Sequence, residues 1–356
     1  MKCLKILINC WYRKNLNLFF WILYPIELVY LFIIFFRKKL YEYKIFKTYK
    51  FNVPIIVIGN ITVGGTGKTP LVIYIANYLK SQGFKPAIVT RGYKSKCKIV
   101  SYVVTKNSDP DVFGDEPILI ANNTDSPVII GKNRVASIQF LLKNFDINII
   151  ICDDGLQHYK LARDLEIVMI DGERFFGNGH CLPIGPLREP INKLNTVDLI
   201  VLNNKMVDAR NNEQSEQLLN NNINNAILNN QKNKYISNLV PEKIYNLTNP
   251  SIVKTPADFG GMSVHAVSGI GNNQRFFNLL QALGIKIINH EFLDHHKYQE
   301  KDLCFNDGLP VIMTEKDAVK CIKFAKDNFW CLSVKVKFNL EEQFNNYLTT
   351  FLRGKS

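Results

Sequence analysis

From residue 51 to about residue 171, short apolar runs alternate with longer amphipathic ones: PIIVIG, LVIYIANYLK, PAIVT, PVIIG, ASIQFLLKN, INIIIC and LEIVMI follow one another. Short runs bounded by glycine or polar positions predict buried strands, and stretches with three-to-four-residue apolar spacing predict helices. Strand–helix alternation of this kind predicts an α/β fold with a mostly parallel sheet flanked by helices, because parallel neighbours need a crossover. Ligands of such sheets gather at the carboxyl ends of the strands. A second series, VHAVSG, QRFFNLLQALG, IKIIN and PVIMTE, closed by an amphipathic stretch from Leu340, predicts a smaller C-terminal α/β domain. Between the two lies an Asn-rich, weakly patterned tract read as a linker or insertion. The chain thus divides into residues 1–50, 51–202, 203–250 and 251–356.

The first of these regions carries LNLFFWILYPIELVYLFIIFF over residues 16–36, and a helix needs roughly 20 such residues to cross a bilayer core. Arg37, Lys38, Lys39, Lys44, Lys47 and Lys50 follow without a small-residue cleavage site, so the basic flank belongs on the cytosolic side. Pro25 and Glu27 interrupt the run, and an ionised carboxylate at mid-bilayer costs about 3 kcal/mol on insertion scales. An N-terminal membrane helix is expected, either spanning or lying in the membrane plane.

Charge and cysteine usage narrow the classes further. A formal net charge of +13 points to an anionic partner without telling nucleic acid from lipid headgroups or phosphorylated substrates. Much of the surplus sits in the membrane flank and no nucleic-acid module is recognisable, so nucleic acid is not an expected partner. The 8 cysteines form no CxxC pair and no Cys/His cluster at zinc spacing, which argues against a zinc module and fits a reducing cytosol. No obligate protein partner is inferred.

Chemistry enters with PIIVIGNITVGGTGKTPLVIYIANYLK, an apolar strand running through a glycine-rich turn into an amphipathic helix. That is the context of a P-loop, and it makes the fold P-loop NTPase-like. Thr62, Val63, Gly64, Gly65, Thr66 and Gly67 form the turn, with Thr62 where the pattern usually opens on glycine. Their backbone amides and the helix N-terminus would cradle the phosphates of ATP. Lys68 would reach the β- and γ-phosphates, and Thr69 would ligate Mg²⁺. INIIIC ends in Asp153 and Asp154, the acid-after-strand arrangement that completes a magnesium shell. Asp153 is taken as the metal ligand and Asp154 as the catalytic partner, an order the sequence does not fix. Asn204, Lys205 and Asp208 resemble guanine recognition but with one residue too many, which leaves a P-loop GTPase-type switch or chaperone as the alternative function.

GNITVGGTGKTP, RGY at 91–93, GDEP at 114–117, DDGLQH at 153–158, GNGHCLPIGPLREP at 177–190, DHHKY at 294–298 and TEKDAVK at 314–320 occur in one order. In this the chain resembles the tetraacyldisaccharide 4'-kinase family. The resemblance implies ATP- and Mg²⁺-dependent phosphorylation of the 4'-hydroxyl of a tetraacylated glucosamine disaccharide 1-phosphate in lipid A biosynthesis. It also implies a bacterial inner-membrane enzyme on the cytoplasmic face, with the lipid-linked disaccharide and inner-membrane lipids as partners. By the same resemblance Asp115 is the catalytic base, supported by a histidine of the DHH segment, His295 in preference to His296. Arg188, and Arg91 with less reason, would neutralise phosphate charge. Residues alone would allow a plainer account, with Asp115 opening a helix and His295 a polar loop residue.

Overall fold

The computed structural model describes residues 10–12, 22–92, 101–204 and 233–354. In chain order its elements begin with α1 (Tyr24–Glu42), β1 (Ile55–Gly59), α2 (Lys68–Ser81), β2 (Pro86–Thr90) and β3 (Tyr102–Val104). There follow α3 (Pro110–Phe113), α4 (Asp115–Asn123), β4 (Val128–Ile130), α5 (Arg134–Asn144), β5 (Ile149–Asp153), β6 (Leu165–Asp171) and β7 (Leu199–Asn203). The second part holds β8 (Asn233–Asn246), β9 (Val253–Lys254), β10 (Ser263–Ser268), α6 (Asn273–Ala282) and β11 (Lys286–Glu291). It ends with β12 (Val311–Thr314), α7 (Glu315–Cys321), β13 (Phe329–Phe338) and α8 (Glu341–Arg353).

Every residue of β1, β2, β5, β6 and β7 is buried, which is why these strands read as continuous apolar runs: helices cover both faces of a parallel sheet. One 13-stranded sheet runs β11-β10-β12-β13-β8-β7-β6-β1-β5-β2-β4-β3, with β9 attached to β8. Among the strands of the described residues, antiparallel pairing is confined to β13–β8, β8–β9 and β3–β4. The α/β, mostly parallel architecture expected from the sequence is therefore present, and the carboxyl ends of β1, β5, β10 and β12 supply the segments of the candidate site.

Part of the Asn-rich tract is a strand. β8 pairs parallel with β7 and antiparallel with β13, so it joins the two halves of the sheet. Its Pro241, a residue that cannot donate to a ladder, stands opposite Val334 where the register shifts, and a bulge is one of the few places a sheet accepts proline. Residues 205–232 lie outside the described residues. The last helix, α8, returns to the first half, where Phe344, Leu348 and Leu352 share a core with Ile75 and Leu79 of α2.

Among the described residues no helix is long and apolar enough to cross a membrane; residues 16–21 of the expected membrane segment lie outside them. α1 is instead two-sided. Glu27 is 4% exposed, accepts a hydrogen bond from the Cys181 amide at 2.6 Å and meets His180 Nδ1 at 2.9 Å. Tyr30 Oη donates to the Arg188 carbonyl at 3.0 Å, and Arg37 Nη2 donates to the Gln157 carbonyl at 3.1 Å. The carboxylate that argued against a span is thus turned into the protein and hydrogen-bonded there. The other face leaves Ile26, Val29, Phe32, Ile33 and Phe36 each more than half exposed.

Candidate active site

β1 delivers the chain to the glycine-rich turn, and the turn dictates its own composition. Gly67 has φ 88° and caps α2 in the left-handed region; a Cβ there would fall 2.4 Å from Asn203 Nδ2, so glycine is required on both counts. Asn203, at the end of β7, donates to the Thr66 carbonyl at 2.9 Å and holds the turn from below. Lys68 Nζ donates to Asn60 Oδ1 at 3.1 Å and lies 3.5 Å from Asp154 Oδ1. Gly65 to Thr69 line a cavity of about 210 Å³ whose far wall includes Ile270, Gly271, Arg275 and Lys316 from the second half of the sheet. The approach is close: a Cβ on Gly271 would stand 3.2 Å from the Gly65 amide nitrogen.

Not every residue of the expected turn faces this cavity. The Val63 amide donates to the Pro186 carbonyl at 2.7 Å, and Thr62 bridges to Leu187. These two anchor the loop to the segment carrying Arg188 and leave the cavity lining to Gly65 onward. Arg188 Nη1 reaches the Asp154 carboxylate at 3.2 and 3.3 Å.

Asp153 and Asp154 sit at the end of β5 with different surroundings. Asp153 is 2% exposed; Thr90 Oγ1 donates to its Oδ2 at 3.2 Å, while its Oδ1 has no hydrogen-bond partner. Burial, then the nearby Glu116 and Asp154 charges, push its carboxyl up from the usual range. Burial acts on Asp154 in the same sense, but Lys68, Arg188 and Arg134 outweigh it and hold that carboxyl at about 2. Arg134, which the sequence reading did not single out, donates to the carbonyls of both acids at 2.8 and 2.6 Å and fixes the turn that bears them. Asp154 itself has φ 48°, a left-handed conformation costly for a non-glycine residue.

Asp115 opens α4 and is 5% exposed. His295 Nδ1 lies 3.0 and 3.1 Å from its two carboxylate oxygens. His295 takes φ 60°, and that turn swings its ring toward Asp115, whereas His296 Nε2 contacts Asp302 at 3.2 Å. Burial raises the Asp115 carboxyl, yet the His295 hydrogen bond and the charges of Lys316 and Lys320 prevail and hold it at about 2. Asp115, His295 and Lys320 line a second cavity of about 60 Å³. Glu116 and Lys316 belong to the wall of the larger one, so residues of α4 and α7 separate the two. Lys316 and Lys320 lie in the TEKDAVK segment at helical i, i+4 spacing, a signal that places both on one face but says nothing of what they face. Arg91 follows β2 and is exposed. Asn204 lies beside the cavity, its carbonyl accepting from Arg275; Lys205 and Asp208 are outside the described residues.

Amides and a lysine able to hold phosphate along one cavity, with a carboxylate able to accept a proton behind the Glu116 and Lys316 wall of that cavity, make this a phosphotransferase of the P-loop class. The family profile for Tetraacyldisaccharide-1-P 4'-kinase matches residues 19–353. The tetraacyldisaccharide 4'-kinase of Coxiella burnetii (strain RSA 331 / Henzerling II) is 41% identical over 336 residues, 94% of this chain and 92% of that one. Its counterpart in Methylobacillus flagellatus is 42% identical over 319 residues, 89% of this chain and 88% of that one. The crystal structure of LpxK from Aquifex aeolicus in complex with ATP matches with a TM-score of 0.77 and 29% identity, covering 94% of this chain and 100% of that one. The chain belongs to the tetraacyldisaccharide-1-P 4'-kinase family and is a kinase of lipid A biosynthesis. The alternative of a guanine-nucleotide switch finds no support in these relatives.

Proposed function

We propose that the enzyme transfers the γ-phosphate of ATP to the 4'-hydroxyl of a tetraacylated glucosamine disaccharide 1-phosphate, with Asp115 as proton acceptor. The observation that carries this assignment is the buried Asp115–His295 contact, whose neighbours Glu116 and Lys316 stand in the wall of the Gly65–Thr69 cavity. The ATP complex of the Aquifex relative supports the choice of nucleotide. In the transfer, the O–H bond of the 4'-hydroxyl breaks and its proton passes to Asp115 while the oxygen bonds the γ-phosphorus; the bond to the β-phosphate oxygen breaks and ADP leaves. A carboxylate held at about 2 is a weak base toward a free alcohol. Proton transfer is therefore late, once bonding to phosphorus has made the hydroxyl acidic. Lys68 and the loop amides hold the phosphates, and Arg188, positioned on Asp154, adds positive charge beside them.

The residues present also fit Mg²⁺. Asp153 Oδ1 is buried and unpartnered, and Thr69 stands in the first turn of α2 on the cavity wall. Among the described residues no cluster of three or more His, Cys, Asp or Glu is placed to hold a metal, and a P-loop magnesium takes most of its ligands from phosphates and water. Thr69 and Asp153 would hold the ion, which when bound offsets negative charge on the β- and γ-phosphates.

The test is incubation of the protein with γ-labelled ATP and the tetraacylated disaccharide 1-phosphate in mixed micelles. A labelled 1,4'-bisphosphate is expected, with GTP a poor substitute; ATP hydrolysis with no label in the lipid would defeat the assignment.

The exposed face of α1 and the basic residues after it support location at the cytoplasmic face of the bacterial inner membrane, with the helix lying in the membrane plane. Each large apolar side chain removed from water contributes about 1.5–3 kcal/mol, so the Phe32→Asp/Ile33→Asp double variant should bind anionic vesicles at least about 100-fold more weakly. Unchanged co-sedimentation would remove this face from the membrane contact.

A further inference from the structure

Lys316 is the second residue of α7, and its ammonium meets three groups. Nζ lies 3.1 Å from Glu116 Oε1, 3.2 Å from Asp294 Oδ1 and 3.3 Å from His295 Nε2. The opposite ring nitrogen of His295, Nδ1, is the one that faces the Asp115 carboxylate. An ammonium only donates hydrogen bonds, so its contact with Nε2 uses that nitrogen's lone pair and leaves the ring's single proton on Nδ1. A carboxylate only accepts, so Asp115 requires the same placement. Both ends of the imidazole thus select one tautomer.

We infer that Lys316 is a positioning residue that fixes His295 as the neutral Nδ1–H tautomer, and through it holds Asp115 as an oriented, unprotonated carboxylate. With Nε2 engaged by the ammonium, the ring donates to Asp115 from Nδ1; Asp294, which holds the ammonium, brings its Oδ2 to 3.7 Å from the same Nε2. Glu116 and Asp294 fix the ammonium in turn. Because Lys316 also lines the Gly65–Thr69 cavity, the geometry of the Asp115–His295 pair is set from the side of that cavity. The inference rests on the reading of Asp115 as proton acceptor.

The direct test is nitrogen-15 NMR of the histidine-labelled protein near neutral pH, with His295 assigned by the loss of its signals in His295→Gln. Wild type is expected to show a protonated Nδ1 and a bare Nε2; a protonated Nε2 overturns the inference. In Lys316→Met the Nε2 lone pair loses its donor, so a proton should appear on Nε2 as well as Nδ1, with kcat down about 100-fold and KM for ATP within about threefold of wild type. Lys316→Arg, which also only donates, should restore the Nδ1–H pattern and recover at least about tenfold of the lost kcat. An unchanged tautomer in Lys316→Met, or a loss confined to KM, also overturns it. If Lys316→Met does not fold, the wild-type spectrum and Lys316→Arg decide the matter. Full turnover in Asp115→Asn would remove the proton acceptor itself, whereas a protonated Nε2 in wild type alongside an inactive Asp115→Asn removes only the role of Lys316.

Discussion

Asp115→Asn is expected to lower kcat by about 1,000-fold while leaving ATP affinity within about threefold of wild type, the scale on which a positioned acid–base group contributes. The amide keeps the size of the carboxylate and its carbonyl oxygen still accepts from His295 Nδ1, so the pocket survives. What disappears is the oxygen that takes the proton of the acceptor hydroxyl. Transfer kinetics under saturating lipid, with nucleotide binding measured separately, make the distinction. Loss of ATP binding along with turnover would move Asp115 to the nucleotide site. The same residue marks acid stability, because its folded pKa of about 2 lies below the ordinary 3.8. A depressed carboxylate stabilises the fold above the unfolded pKa, and that contribution is lost as pH falls from about 4 toward 2. At pH 6 the asparagine variant should therefore be less stable by about 2 kcal/mol, and the gap should close near pH 2. Urea midpoints at the two pH values test the sign.

The parts of this site that the sequence displays are those made by neighbours along the chain. A buried strand, a glycine turn and a helix start lie within one continuous segment, so Gly65 to Thr69 and the acids after β5 could be placed before any fold was known. Asp115 and His295 are 180 positions apart, and nothing local distinguishes them from a helix opener and a loop histidine; only their place in an ordered set of motifs pointed to them. Choosing His295 over His296 as Asp115's partner is a matter of one left-handed backbone residue, which alternation and propensity do not encode. Lys316 stood in a quoted motif without a role because its partners come from α4 and from the loop after β11, and Lys320, bonded to Asp317 on its own helix, comes within 3.9 Å of Asp115 only through the fold. β8 was hidden for a different reason. Its asparagines and Pro241 depress strand propensity, and it is held by pairing with β7 and β13, long-range contacts that override propensity. Glu27 reverses a sequence argument: its charge looked like an obstacle to membrane insertion, and its actual surroundings are the Cys181 amide and His180, more than 150 positions away.

Lys68→Ala should abolish measurable phosphate transfer, with a fall of at least about 1,000-fold expected for loss of the charge that grips the transferred group. Its side chain is only 13% exposed and is aimed by Asn60 and Asp154, so the ammonium is a fixed charge rather than a surface lysine searching for a partner. Arginine is not expected to replace it. A guanidinium is a broad planar fork, and the space here is bounded by a tight glycine loop, so Lys68→Arg should lose most activity although the charge remains. The alanine variant has a second consequence, because Lys68 is the foremost of the charges that offset burial at Asp154. Without it the Asp154 carboxyl should rise above about 2 while Arg188 and Arg134 keep it from rising freely, and the fold should persist. Single-turnover transfer together with a thermal melt separates these effects. A folded Lys68→Ala protein that still phosphorylates the lipid at near wild-type rate would mean that the phosphates are held elsewhere than in the turn between β1 and α2.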